Sequence, residues 1–79
     1  MRTIDDYKKM PKGALADKWF WLHDIPTSFI LDEVWLDLGD FEIQITESEV
    51  EYRASEFIRL LENDLIKEPF KRILMNYNL

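Results

Sequence analysis

The chain has no cysteine and a single histidine, and these two shortages exclude a good deal of chemistry at the outset. Without thiols there is no disulfide framework, no thiolate metal site and no cysteine nucleophile. Any Ser-His-Asp arrangement would have to use His23, and no serine lies in a G-x-S-x-G elbow. Beside the aromatic run Trp19-Phe20-Trp21, His23 reads as a structural residue. The two glycines belong to neither a dinucleotide-binding nor a Walker-type loop, so no phosphate cradle is encoded. We expect no enzyme, no cofactor and no catalytic residue.

Long apolar runs are also missing. The longest, Trp19-Phe20-Trp21-Leu22, spans four residues, against the roughly 20 that a membrane-spanning helix needs. Residues 1–10 carry Asp5 and Asp6 and no apolar core, which is not the pattern of a secretory signal. The expected setting is a soluble protein of a reducing cytoplasm. Seventy-nine residues suffice for one domain, 1–79, with a modest core. At 47% hydrophobic and 14% aromatic residues, that core can form without staples.

The last shortage is local. Between Trp19 and Tyr52 there is no lysine or arginine, but there are nine acids: Asp24, Asp32, Glu33, Asp37, Asp40, Glu42, Glu47, Glu49 and Glu51. The flanking segments are slightly basic, so the whole net charge of −6 originates in this block. A field of this sign repels nucleic acid and membrane surfaces and steers basic partners toward it. The lysines at 8, 9, 12 and 18 are too few to define a nucleic-acid-binding edge and read as a solvated face.

Inside the acidic block lies the most strongly patterned stretch, residues 33–46, EVWLDLGDFEIQIT. Gly39-Asp40 between two alternating runs predicts a β-hairpin with a two-residue type II′ turn. That turn sets Leu38 opposite Phe41, Leu36 opposite Ile43 and Val34 opposite Ile45, all apolar and all on one face. The other face pairs Asp37 with Glu42, Trp35 with Gln44 and Glu33 with Thr46. A slip of one residue would scramble both faces, so turn and pattern support each other.

Elsewhere, Thr3-Ile4-Asp5-Asp6 predicts a short N-terminal helix capped by Thr3 and ended by Pro11 and Gly13. Residues 14–22 can be read two ways, since Leu15, Trp19 and Leu22 have helical spacing while Trp19-Phe20-Trp21 prefers strand. The favoured reading is a short helical or irregular turn at 14–17 and a strand at about 18–23. A long strand from 29 to 38, bending near Asp32, would then complete a meander with the hairpin. Thr46-x-x-Glu49 has the form of a capping box. Val50, Ala54, Phe57, Ile58, Leu61 and Leu65 form a helical stripe over 47–66, with Glu49 and Arg53 as an i,i+4 pair. A strand over 50–54 is the alternative at the start of that helix. Pro69 suits a helix start, and Phe70, Ile73, Leu74 and Tyr77 predict a last helix at 69–77. The expected class is α+β, a small antiparallel meander of two to three strands packed against C-terminal helices.

The functional expectation follows from the hairpin's outer face. Asp37 and Glu42 are opposed like charges, which destabilise a strand pair, and Trp35 stands between them and Glu33. Tryptophan is enriched among interface hot spots. We therefore expect an acidic interaction module with Glu33, Trp35, Asp37, Asp40, Glu42, Glu47, Glu49 and Glu51 as its partner-binding residues. Alternatively, the acids are only a solubilising face around a covered tryptophan.

The expected partner is a protein with a basic surface. In its strongest form the module is an inhibitor that occupies a nucleic-acid-binding groove as a partial nucleic-acid mimic. Small virus-encoded inhibitors of host defence nucleases have this size and acidity, which is an association of class and not of motif. The alternative is a structural or regulatory subunit acting as a homodimer. Asp37, Asp40 and Glu42 lack the EF-hand spacing, so no metal site is expected.

Overall fold

The computed structural model describes residues 1–76. The order of elements is α1 (Ile4–Lys8), α2 (Lys12–Leu22), β1 (Thr27–Ile30), β2 (Glu33–Asp37), β3 (Glu42–Gln44), α3 (Glu47–Glu62) and α4 (Phe70–Asn76). The class is α+β, with a three-stranded antiparallel sheet in the order β1-β2-β3. The Tyr77 end of the expected last helical stripe lies outside the described residues.

The local signal at α1 behaves as expected, and that at α3 does so in part. Thr3 accepts from the Asp6 N–H, and the Asp6 carboxylate accepts from the Thr3 N–H at 2.8 Å, a complete capping box. That backbone donor, chiefly, holds the Asp6 carboxyl below the usual aspartate range. Thr46 caps α3 through the Glu49 N–H at 3.3 Å. Glu49 does not complete the box, because its carboxylate turns to Arg53 at 2.8 Å. The alternative of a strand over 50–54 is not realised, since those residues lie inside α3.

Residues 18–23 form no strand, contrary to the favoured reading, and belong to α2 and its C-cap. The strand preference of Trp19-Phe20-Trp21 is overridden by burial on both sides, as expected for a helix that is apolar all round. Toward the sheet, Ala16 and Phe20 pack with Val34, Leu36, Ile45 and Val50. Toward the other helices, Leu15 joins Tyr7, Ala54, Phe57, Leu61 and Leu74, with Trp21 and Leu22 at the margin. Tyr7 meets Phe57 edge-on at 5.5 Å, and its hydroxyl donates to the Leu74 carbonyl, binding the two chain ends to one core.

The third strand comes instead from 27–30. The bend expected near Asp32 is a full reversal: Ile30 faces Glu33, Ser28 faces Trp35, and the two-residue turn between them places Leu31 at φ +49° and Asp32 at φ +65°. Positive φ at both centres is the type I′ geometry, which usually recruits Asn or Gly. Leu-Asp gives no such signal. The turn is held from outside, where the Asp32 carboxylate accepts from the Gly13 N–H at 3.2 Å, capping α2 from another element. Thr27 donates to the Asp17 carboxylate and ties β1 to the same helix.

Helix α3 ends at Glu62, four residues short of the expected 66. Asp64 adopts φ +53°, with its N–H to the Leu61 carbonyl and the Leu65 N–H to the Leu60 carbonyl. This is a Schellman stop with aspartate where glycine is usual. Asp24 at φ +55° ends α2 in the same way. Leu65, assigned to the buried stripe from its spacing, is therefore beyond the helix and half exposed.

Candidate functional site

The hairpin has the register expected from its turn. Trp35 pairs with Gln44, Leu36 with Ile43 and Asp37 with Glu42. Gly39 takes φ +92° at the first turn position, which only glycine occupies without strain. The Leu38 N–H reaches the Phe41 carbonyl at 3.0 Å, and the Asp37 carboxylate accepts from the Gly39 N–H at 3.0 Å. Asp37 thus braces the turn while remaining exposed. The expected pair of Glu33 with Thr46 does not form, because β3 ends at Gln44 and Thr46 has become the cap of α3.

On the outer face the cross-strand rows are Ile30 with Glu33, Ser28 with Trp35 and Gln44, and Asp37 with Glu42. Trp35 is half-buried and belongs to neither core cluster. Its indole N–H donates to the Glu33 carboxylate at 3.3 Å, and Ser28 and Gln44 flank it in the strands on either side. The ring therefore lies across the sheet, neither sealed under a helix nor projecting freely. Asp37, Asp40 and Glu42 are exposed and make no ion pair with any described residue.

The apolar face divides along its length. Val34 is fully buried, and Leu36 and Ile45 pack against α2 and the start of α3. Toward the tip the cover runs out: Leu38 is 48% exposed, Phe41 60% and Ile43 47%. These three share the apolar face, as the register predicts, and form an apolar surface on the same tip as Asp37, Asp40 and Glu42. The cause lies in the connectivity. With only two residues between β3 and α3, that helix leaves from the hairpin's root, and α2 gives way to a strand that begins opposite Leu36, so the cover stops short of the turn.

The remaining predicted site residues are at that root. Glu49 is engaged with Arg53, whose guanidinium also lies 4.0 Å from the Trp19 ring centre. Glu51 pairs with Lys12 at 3.1 Å, a base supplied from the start of α2. The acidic block that has no compensating base along the chain is thus partly compensated in space. Glu47 is exposed. A cleft of about 280 Å³ opens here between the Leu31-Asp32 turn, the end of β3 and the start of α3, with Glu33, Glu47 and Glu51 around Lys12. Among the described residues no group of three or more His, Asp or Glu side chains is placed to hold a metal ion. His23 is exposed and stacks on Trp19 with ring centres 4.0 Å apart.

The structure accordingly separates the eight predicted residues. Asp37, Asp40 and Glu42 form a free acidic tip. Glu33, at the edge of the root cleft, accepts from the Trp35 indole, and Glu47, Glu49 and Glu51 belong to that root, which carries Lys12 and Arg53. Periodicity could not reveal Leu38, Phe41 and Ile43 as surface residues, because it reports which face they share and not how far the cover extends. No helix of the described residues is long and apolar enough to cross a membrane. The chain matches no family model, no curated protein and no solved structure in the three comparisons made.

Proposed function

We propose that the protein is a small interaction module that docks its acidic hairpin tip on a basic surface of a partner protein and thereby inhibits or regulates it. One observation carries this reading: among the described residues Asp37, Asp40 and Glu42 make no ion pair and stand beside exposed Leu38, Phe41 and Ile43, on a hairpin end that no described helix covers. Opposed carboxylates weaken a free hairpin, and apolar side chains in water add nothing to its stability. Both features gain in a complex, where bases neutralise the acids and the apolar group loses water. The form of partner we favour is one whose basic surface binds nucleic acid, as in a host defence nuclease met by a virus-encoded inhibitor. Carboxylates on alternate strand positions lie about 6.6–7 Å apart, far sparser than duplex phosphates. Mimicry would therefore be partial, and Leu38, Phe41 and Ile43 would supply affinity that charge alone does not.

The test is the pair Asp37→Asn with Glu42→Gln, in which Asn keeps the acceptor for the Gly39 N–H. Partner capture from host lysate on the immobilised protein should fall, and its salt dependence should flatten. The free variant should melt no lower than the parent, since a repulsive cross-strand pair has been removed. Where the captured protein binds nucleic acid, the parent should compete with it and the variant should not. Unchanged capture with an unchanged salt dependence would rule out the acidic-tip reading.

A further inference from the structure

We infer that the open edge of β3 accepts an extended segment of the partner as a fourth strand, and that this segment alternates basic and apolar residues. The inference rests on the acidic-tip reading above and specifies the form in which the partner presents its charge.

The edge is open for a reason that can be traced bond by bond. β3 is the last strand of the sheet. The Leu38 N–H bonds the Phe41 carbonyl at 3.0 Å, and the Ile45 N–H bonds the Val34 carbonyl at 2.8 Å. Antiparallel bonding alternates, so the Leu36 and Ile43 pair lies between these two as the next bonded pair. The N–H and C=O groups of Glu42 and Gln44 must then turn outward, and no described residue bonds to them. Proteins usually blunt such an edge with a very short strand, charged side chains, proline, a bulge or a covering element. Among the described residues the only devices here are the shortness of β3 and the charge of Glu42, which repels an acidic strand but not a basic one. β3 and its flanks, Phe41 to Ile45, contain neither lysine nor proline.

What the edge does carry selects its occupant. A strand added there would lay one set of alternate side chains beside Phe41 and Ile43, 60% and 47% exposed. The other set would lie beside Glu42 and Gln44, within reach of Asp37 across the hairpin. An apolar set and a basic set complement these two faces, with main-chain bonds giving affinity and alternate side chains giving specificity. An acidic strand is repelled by Glu42. A second copy of the chain is also disfavoured, because pairing two β3 edges would bring Asp37, Asp40 and Glu42 of both copies onto one sheet without a base. About five residues of partner, roughly 17 Å of strand, would span the edge from Phe41 to Ile45.

The test uses the full chain and a synthetic seven-residue peptide, Lys-Val-Lys-Val-Lys-Val-Lys. In an isotope-labelled titration the amides of Glu42 and Gln44 should shift most and become protected from hydrogen exchange. A peptide of the same composition in blocks, and one with glutamate in place of lysine, should bind at least tenfold more weakly. Gln44→Pro removes one outward N–H and leaves the hairpin bonds intact, and an edge strand tolerates proline. It should weaken the alternating peptide at least tenfold, with circular dichroism confirming the fold. Equal binding of both peptide orders, or no protection at Glu42 and Gln44 in the parent, would overturn the inference. So would a dimer in light scattering that Gln44→Pro dissolves, since the occupant would then be a second copy. If partner capture survives Gln44→Pro but fails with Asp37→Asn and Glu42→Gln, the acidic-tip reading stands and strand addition alone is refuted.

Discussion

Gly13→Ala sets two opposing effects against each other, and the structure decides which should win. In an exposed helix interior the change would stabilise by about 1 kcal/mol, because alanine has the better helix propensity. Gly13, however, is buried against the Leu31-Asp32 turn. An added Cβ would lie 2.5 Å from the Asp32 carbonyl oxygen, 2.6 Å from Phe29 Cε2 and 2.8 Å from the Asp32 carbonyl carbon. Two of these three atoms are backbone, so relief requires moving the turn, and the Gly13 N–H bond to the Asp32 carboxylate would go with it. Overpacking of this kind costs about 1–3 kcal/mol, and the lost bond about 1 kcal/mol more. The net expectation is a destabilisation of about 1–3 kcal/mol. For a chain of 79 residues, with unfolding entropy near 0.17 kcal/mol per kelvin, that lowers Tm by about 6–18 °C. Thermal unfolding by circular dichroism or calorimetry measures it. A Tm equal to the parent's or higher would mean that α2 does not seat on the β1–β2 turn, and the position of the sheet against the helices would have to be redrawn.

Three other perturbations test separate parts of the structure. Leu31 is 90% exposed at φ +49°, a region that costs a leucine about 1–2 kcal/mol and asparagine less; Leu31→Asn should raise Tm by a few degrees, and a fall would contradict the type I′ turn. Tyr7→Phe leaves the buried Leu74 carbonyl without its donor and should lower the denaturation midpoint by the equivalent of about 1–2 kcal/mol; no change would show that this bond does not tie the chain ends together. The Asp6 pKa is lowered chiefly by the Thr3 N–H, so the folded state favours the ionised form. Its contribution is present above the ordinary carboxylate range and is lost as pH falls through the depressed folded value. Asp6→Asn should therefore melt below the parent at neutral pH and converge with it in acid, whereas a gap that persists at pH 2 would assign the effect to something other than ionisation.

Much of the architecture was legible wherever the governing interactions are local. Gly39-Asp40 and the alternation around it yield the hairpin register, and the Thr3 and Thr46 caps lie where short polar side chains meet acids at fixed spacing. Three features escaped because they run against local preference. Trp19-Phe20-Trp21 is helical since both of its sides are covered. Leu31-Asp32 turns without asparagine or glycine, with α2 holding it from outside. Asp64 ends α3 in a conformation that sequence usually advertises with glycine. The candidate site was legible only in part: the Glu49–Arg53 pair follows from its i,i+4 spacing, while the approach of Lys12 to Glu51 does not.

By itself, then, the sequence determined the α+β class, the hairpin and its two faces, and an acidic block without a base of its own. Turn sterics, strand alternation and net charge act within a few residues, and no distant partner alters them. Only the tertiary structure decided which acids stay free. Lys12 comes to Glu51 from across the fold, and Arg53, already paired with Glu49 by spacing, lies over the Trp19 ring, while Asp37, Asp40 and Glu42 pair with no base among the described residues. It also decided that Leu38, Phe41 and Ile43 meet water, because α2 is followed by a strand that begins opposite Leu36, and α3 leaves from the hairpin's root, so neither covers the turn end. Ion pairing and burial depend on what lies nearby in space, and spacing along a chain does not record that.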